Sequence, residues 1–197
     1  LGWSPGKENE LIDINEIIEK FEITKLSKSS SIFSYKKLNF FNNYYLRNQS
    51  GLNKFLEYCK NNKKLKDLIL KNENKIKTIF EVYKKDLNNF AEILDIVDVY
   101  FDKNFKLDQN EVFSDEFKSL YKDFLNSISN IDNWDRENIQ NTISNFLNLK
   151  NIKFPILGKP IRFLMTNSYN GPSISDIFLI LGKKDSIDRL NQYIEKN

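Results

Sequence analysis

Histidine is absent from this 197-residue chain, and cysteine occurs only once, as Cys59. A single thiol cannot build an internal disulfide framework or a thiolate zinc cluster. Without imidazole, the chain also lacks histidine metal ligands, histidine-dependent catalytic triads and histidine acid–base chemistry. The composition therefore excludes the metalloproteins and hydrolases that depend on those side chains.

Long apolar runs are also missing. No uninterrupted apolar segment approaches the roughly 20 residues that a membrane-spanning helix needs. The sequence shows no signal-peptide pattern either. We therefore expect a protein of the reducing cytoplasm.

The residues that are present suit a globular helical protein. Hydrophobic residues make up 40% of the chain and charged residues 29%, with a net charge of +3 and a sequence pI near 8.7. This mild basicity is compatible with a polyanionic partner, although the simplest interpretation of the many lysines is a solvated surface. Apolar residues recur every three or four positions and do not alternate over any useful length, which predicts an all-α fold.

The amino-terminal quarter predicts two helices. Asp13, with Glu16 three residues later, indicates a helix cap, and the helix that follows carries an apolar stripe. Residues 37–47 predict a helix with an aromatic face, which we interpret as core packing. The stripe consists of Ile14, Ile17, Ile18 and Phe21, and the aromatic face of Phe40, Phe41, Tyr44 and Tyr45.

Further helices are predicted along the rest of the chain. Residues 52–101 indicate two or three helices, with the longest apolar stripe in their second half. Residues 102–110 are polar and aperiodic, which is typical of a linker. Three more helices are predicted: over residues 113–128, after a cap at Asn133, and from about Ser186.

The segment from residue 157 to residue 190 has the clearest boundary residues. Pro160 suits a first helical position, and residues 166–170 are polar and turn-prone. Gly171-Pro172 starts a second apolar helix, which Gly182 ends. By itself this pattern predicts no more than a surface loop held between two short helices.

The same segment resembles a known family. In order, it contains K-P-hydrophobic-R, M-T, G-P, I-L-G-K-K and R-L, and it is preceded by a helix start with Trp134 and Glu137. This order is similar to that of the C-terminal anticodon-binding region of bacterial glutamyl-tRNA synthetases. The motifs lie at Lys159–Arg162, Met165-Thr166, Gly171-Pro172, Ile180–Lys184 and Arg189-Leu190.

Two amino-terminal stretches agree with the same family. Residues 37–47 are similar to its K-L-D-W-hydrophobic-N-G-x-Y-I-R, with Phe40 in place of Trp and Asn43 in place of Gly. Residues 26–33 resemble its V-S-K-S-P-x-V-F turn. Residues 25–29 also mimic the KMSKS signature that holds ATP, but in this family the true signature lies upstream of such a stretch, and we reject that interpretation.

The resemblance implies a helical bundle in two anticodon-binding subdomains. The first subdomain is expected at residues 51–101 and the second at residues 102–197, after the end of a stem-contact region at residues 1–50. Glutaminyl-tRNA synthetases read the anticodon with β-barrels, which this sequence would not build.

The function implied by the resemblance is tRNA anticodon recognition by part of a class I glutamate–tRNA ligase. The HIGH and KMSKS signatures of the adenylate-forming site are absent, so we expect no catalytic residue, metal or cofactor in this chain and no activity from it alone. ATP and Mg²⁺ would serve the full-length enzyme. Leu1 is not an initiator Met, and we expect the chain to be part of a longer, monomeric protein that binds glutamate tRNA and no membrane.

Candidate contact residues follow from the matched positions. Single-stranded loops are read by hydrogen bonds to base edges and by stacking on Arg or aromatic side chains. Arg162 and the turn from Gly171-Pro172 to Ile174 match family positions that touch anticodon bases. The alternative role for Arg162 is a salt bridge to a nearby carboxylate. The neighbouring candidates are Lys159, Thr166 and Tyr169.

A second group of candidates lies earlier in the chain. Lys84 and Lys85 belong to a helix that the family points toward the anticodon. In members that accept only glutamate tRNA, the helix matching residues 78–97 carries an Arg that inspects the third anticodon base, which is cytosine in glutamate tRNA and guanine in glutamine tRNA. Asp86 stands at that position here.

Replacing Arg by Asp at this position changes the hydrogen bonding available to the third base. Arg only donates hydrogen bonds, so it meets guanine donor to donor, whereas Asp only accepts and can take a bond from the amino group of either base. The resulting hypothesis is a non-discriminating ligase that also charges glutamine tRNA with glutamate.

Two other functional classes remain open from the sequence. A helical adaptor that binds protein would expose an apolar groove instead of a basic loop face. A nonspecific RNA-binding module would bind any tRNA with a similar dependence on salt.

Overall fold

A computed structural model describes residues 2–5, 11–29, 32–108 and 111–194. Within these ranges the chain forms ten α-helices and two 3₁₀ turns, at Ile23–Lys25 and Phe90–Glu92, and contains no strand. The predicted all-α fold is confirmed. The helices are α1 (Ile14–Lys20), α2 (Tyr35–Arg47), α3 (Gln49–Asn61), α4 (Lys66–Tyr83), α5 (Ile93–Phe101), α6 (Asp115–Ser129), α7 (Arg136–Lys150), α8 (Phe154–Thr166), α9 (Ile174–Leu181) and α10 (Lys183–Ile194).

Short polar side chains start several of these helices. The first amide groups of a helix have no hydrogen-bond partner within it. A capping oxygen accepts a hydrogen bond from one of them and stabilises the helix by about 1 kcal/mol. The Asp13 carboxylate accepts from the Asn15 amide at 2.8 Å, which confirms the predicted cap of α1. Other caps are Ser34, Ser114, Asp135 and Ser173.

Four predicted helix boundaries are wrong by a few residues. Asp135, not Asn133, caps α7, and Ser173, not Gly171-Pro172, caps α9. The last helix begins at Lys183 rather than near Ser186. Pro160 lies inside α8, which begins six residues earlier and has its N-terminal proline at Pro155. Apolar burial on both sides of Pro160, at Leu157 and Ile161, extends the helix past a residue that would otherwise start one.

One continuous core joins α3–α5 to α6–α10. In the first group the rings of Phe55 and Phe80 stack with centroids 4.3 Å apart. In the second, Phe113, Phe117 of α6 and Tyr193 of α10 form an aromatic cluster. Helix α4 packs against both α3 and α9 and so links the two groups. The proposed subdomain boundary at residue 101 stays a prediction, since the apolar core runs across it.

The predicted linker is a loop over residues 102–108, and its last two residues, 109–110, lie outside the described residues. It is hydrogen-bonded to the carboxy-terminal helices. Gln192 accepts from the Leu107 amide at 3.1 Å and donates to the Phe105 carbonyl at 2.9 Å. Asn167 donates to the Lys106 carbonyl at 2.9 Å and accepts from the Asp108 amide at 3.0 Å.

Most amino-terminal apolar residues lie outside this core, and Leu46 is the exception. Helix α1 has no buried residue, and Ile14 and Ile18 are 62% and 68% exposed. On α2 the core interpretation is wrong for Phe40, Tyr44 and Tyr45, which are all exposed. The reason is packing: α2 lies mainly against α3, which covers only one face of it and buries Leu46.

Candidate nucleic-acid interface

The loop between α8 and α9 depends on two residues with positive φ. Asn167 ends α8 in the left-handed region (φ 53°), and Gly171 has φ 139°. Asparagine tolerates the left-handed region better than most residues, and φ near 139° is accessible mainly to glycine. Asn167 therefore ends α8 in a left-handed conformation without a glycine.

The Arg162 side chain donates hydrogen bonds to two backbone carbonyls of this loop. Its Nε donates to the Pro172 carbonyl at 3.0 Å, and its Nη1 donates to the Tyr169 carbonyl at 3.1 Å. Among the described residues it forms no salt bridge with a carboxylate, so the alternative role considered from the sequence is not observed. The guanidinium is thus oriented by two loop carbonyls, and Nη2 makes no hydrogen bond within the described part of the chain.

Thr166 and Tyr169 add further constraints on the loop. The Thr166 hydroxyl donates to the carbonyls of Arg162 at 2.9 Å and Ser168 at 3.3 Å, so it is used within the protein. The Tyr169 ring packs on Phe163 with centroids 4.9 Å apart, and its hydroxyl donates to the Glu111 carboxylate. Loss of hydration and this carboxylate raise the pKa of Tyr169 to about 12, which keeps the hydroxyl a donor at neutral pH.

The remaining loop candidates differ in what they offer a ligand. Lys159 is exposed on α8, and Gly171 is exposed in the loop. A Cβ on Gly171 would lie 3.8 Å from Arg162 Cδ, so its positive φ, not lack of space, requires glycine. The Ile174 side chain is only 2% exposed, so any contact made by Ile174 must come from its backbone.

The second group of candidates lies in a turn, so the helix that the resemblance implied over residues 78–97 is interrupted here. Helix α4 ends at Tyr83, and the Asp86 amide donates to the Tyr83 carbonyl at 2.8 Å in the turn that follows. Asn88 and Asn89 then hydrogen-bond to Glu92, which favours the 3₁₀ turn before α5.

The charged groups of this turn are accessible. Lys85 and Asp86 are exposed, whereas Lys84 is partly buried and pairs with Glu81 at 2.6 Å. The Lys85 carbonyl accepts a hydrogen bond from Arg47 of α2. The turn is therefore fixed by its backbone and presents one cation and one carboxylate outward.

Tyr83 joins the two groups of candidates in space. Its hydroxyl hydrogen-bonds the buried Tyr100 hydroxyl at 2.7 Å and lies 3.9 Å from where a Gly171 Cβ would be. Burial raises the pKa of Tyr83, with smaller effects from the nearby charges of Arg162 and Asp86. Tyr83, which immediately precedes the turn at residues 84–86, thus lies beside Gly171 of the loop at residues 167–173, although about 80 positions separate the two stretches along the sequence.

Sequence reasoning missed two residues beside this loop. Tyr83 was not among the candidate residues. Arg189, noted only as part of an R-L motif, is 4% exposed and donates to the carbonyls of Met165 and Val99 while lying over the Phe105 ring at 3.9 Å. Burial lowers the pKa of Arg189 to about 10, so it stays charged at neutral pH. It ties the end of α8 to α5 below the loop.

Other kinds of site find no support in the described ranges. No group of three or more acidic, Cys or His side chains there is placed to hold a metal ion. No described helix is both long and apolar enough to cross a membrane. Cys59 is buried, and the loss of hydration raises the pKa of its thiol to about 12, so it is not a reactive nucleophile.

Comparison with known proteins identifies the family of the chain. The sequence pattern of the family described as "Anticodon binding domain" matches residues 52–194. Glutamate–tRNA ligase of Mycoplasma mycoides subsp. mycoides SC is 34% identical over 197 residues, which is 97% of this chain and 40% of that protein. Glutamate–tRNA ligase 2 of Rickettsia prowazekii is 30% identical over 193 residues, covering 96% of this chain and 41% of the relative.

A solved structure agrees with these relatives. The crystal structure of a glutamate tRNA ligase from Elizabethkingia meningosepticum, in complex with its amino acid, superposes with a TM-score of 0.82 at 25% identity, covering 99% of this chain and 39% of that one. The chain thus spans about two fifths of the length of the relatives that it matches. The resemblance to the anticodon-binding region of bacterial glutamyl-tRNA synthetases is confirmed, and the chain belongs to the anticodon binding domain family.

Proposed function

We propose that this chain binds tRNA and recognises its anticodon as part of a glutamate–tRNA ligase. The observation that carries the proposal is the position of Tyr83, which precedes the 84–86 turn and lies beside Gly171 of the 167–173 loop. Both stretches contain positions that match anticodon contacts of the resembled family. A surface with an oriented guanidinium and exposed backbone suits the unstacked bases of a single-stranded loop better than double-stranded RNA.

Arg162 is the central recognition group in this proposal. Two loop carbonyls fix its guanidinium plane, so little side-chain entropy remains to be lost when it contacts a base. The free Nη2 donates to an acceptor on a base edge. Tyr169, 39% exposed and braced by Phe163, offers a ring for stacking, and Lys159 contributes positive charge nearby.

The chemistry of the whole protein lies outside this chain in the proposal. The full-length enzyme uses ATP and Mg²⁺ to attach glutamate to tRNA in the cytoplasm as a monomer. This chain supplies the selection of tRNA and does not aminoacylate by itself. A clean preparation should therefore fold as a helical protein and show no glutamate-dependent pyrophosphate exchange.

Asp86 carries the finer part of the proposal. It is exposed at the turn, where its carboxylate accepts a hydrogen bond from the amino group of cytosine or of guanine. A donor at this position would leave guanine's own donors unpaired, which is the usual basis for rejecting a wrong substrate. We therefore expect the full-length enzyme to charge both glutamate tRNA and glutamine tRNA with glutamate.

Competition binding among tRNA transcripts with single anticodon substitutions tests the proposal. Substitution at the first two positions should weaken binding, whereas cytosine and guanine at the third position should differ by less than roughly tenfold, which is about 1.4 kcal/mol. A larger preference for cytosine would contradict the role of Asp86. Equal binding of all transcripts would indicate a nonspecific RNA-binding module, and no binding would favour a protein adaptor.

A further inference from the structure

A cleft of about 490 Å³ opens beside the proposed anticodon surface, between the end of α4 and the first turns of α7 and α9. Its position is defined by the elements already described. Lys85 belongs to the 84–86 turn, and Asp176 follows the loop by three residues at the start of α9. The charged and polar lining consists of Lys77, Thr78, Glu81, Lys85, Arg136 and Asp176.

Most charges around this cleft are already paired. Glu81 pairs with Lys84 at 2.6 Å, so its charge is offset from outside the cleft. Lys77 pairs with Glu73 on the same helix. Each of these two carboxylates on α4 thus has a lysine partner, which reduces its repulsion of an incoming anion.

Two cations keep donors available to a ligand. Arg136 pairs with Asp176 through Nη2, but its side chain is 54% exposed, and its other nitrogens make no hydrogen bond within the described residues. The second carboxylate oxygen of Asp176 accepts from the Ser173 hydroxyl at 2.6 Å. Lys85 has no ion pair in the described part of the chain. The cleft therefore carries an excess of positive charge at its rim.

We infer that Lys85 and Arg136 bind a backbone phosphate of the RNA next to the anticodon. This inference rests on the proposed function, because the cleft adjoins both stretches assigned to the bases. A guanidinium held by one carboxylate and a flexible ammonium on the opposite wall form a two-sided clamp for phosphate oxygens. Contacts of this kind fix the position of an RNA but carry no sequence information.

The nature of the contact predicts a base-independent effect. Neutralising a phosphate with a protein cation releases counterions, so each contact to a single strand adds about 0.7 to the slope of log K against log salt. Removing the clamp should lower the magnitude of that slope by about this amount. It should also weaken every tRNA by the same factor and leave the preference among anticodons unchanged.

The test is salt-dependent binding of the glutamate tRNA transcript and of one anticodon-substituted transcript. The variants are Lys85→Glu and Arg136→Gln, with Lys122→Glu on the exposed side of α6 as the matched control. We expect roughly tenfold weaker binding at low salt for the two cleft variants and a smaller slope, as charge contacts give. The control should change neither quantity by a comparable amount. Thermal denaturation checks that each variant is folded. If Arg136→Gln destabilises α9 by removing the partner of Asp176, the Lys85→Glu variant alone tests the phosphate contact.

Each outcome separates this inference from the proposed function. Unchanged affinity and slope in the Lys85→Glu variant would overturn the phosphate clamp while anticodon preference of the unmodified chain still supports the proposed function. A loss confined to one anticodon base would make Lys85 a base contact and would also overturn it. Failure of the unmodified chain to bind tRNA would overturn both.

Discussion

Helices α1 and α2 are amphipathic like α4 and α8, yet α1 has no buried residue and α2 has only Leu46, whereas α4 and α8 bury most of their apolar sides. Ile18 and Phe40 are exposed, whereas Ile79 and Phe80 are fully enclosed. The period of a pattern predicts which face is apolar. It does not supply the surface that covers that face, and in α1 no residue is buried.

The same contrast holds for polar anchors. Arg47 on α2 and Arg189 on α10 both donate to backbone carbonyls of distant segments. Arg47 is exposed, so water replaces its bond at little cost, whereas Arg189 is enclosed and stacked on Phe105. A hydrogen bond therefore contributes more to stability when its removal leaves the partner groups buried and unpaired than when water can replace it.

The largest expected difference is between two phenylalanines. Phe80→Ala should lower the free energy of unfolding by about 3–5 kcal/mol, because it leaves a cavity against Phe55. Phe40→Ala should change it by less than about 0.5 kcal/mol, as exposed substitutions do. Urea unfolding followed by circular dichroism measures both. Similar losses for the two variants would mean that α2 is packed in solution in a way that the structure does not show.

A smaller difference is expected between the two arginines. Arg189→Ala should cost about 2 kcal/mol, since the carbonyls of Met165 and Val99 lose their donor inside the protein. Arg47→Ala should cost about 0.5 kcal/mol or less. Arg189→Lys should restore little, because an ammonium cannot reproduce two diverging bonds and the stacking on Phe105. Full recovery by Lys would show that charge alone suffices at this position.

The third prediction concerns Arg162, whose main expected effect is on binding. Arg162→Ala should weaken tRNA binding by about 1–3 kcal/mol, the range for a lost base contact. Arg162→Lys should rescue little, because Lys lacks the planar fork. Filter binding with tRNA measures the loss, and circular dichroism verifies the helices. Unchanged binding by a folded Arg162→Ala variant would mean that Arg162 only stabilises the loop and does not contact tRNA.

Local chain chemistry determined the elements of this protein. Helical periodicity and the scarcity of alternation determined an all-α fold, and Asp13 was identified as a cap because capping is a contact between near neighbours. The loop between α8 and α9 was also identified from Gly171 and its polar residues. Boundaries shifted where burial competed with local preference, as at Pro160 and at the end of α4 after Tyr83.

Tertiary structure alone decided what those elements do together. Only the packing of α4 on α9 brings the 84–86 turn to the loop beside Tyr83 and opens the cleft with Arg136. Only packing gives Arg162 two loop carbonyls and buries the side chain of Ile174. Periodicity reports which residues share a face of one helix, whereas the partners of that face are chosen by contacts between distant segments, which no local pattern encodes.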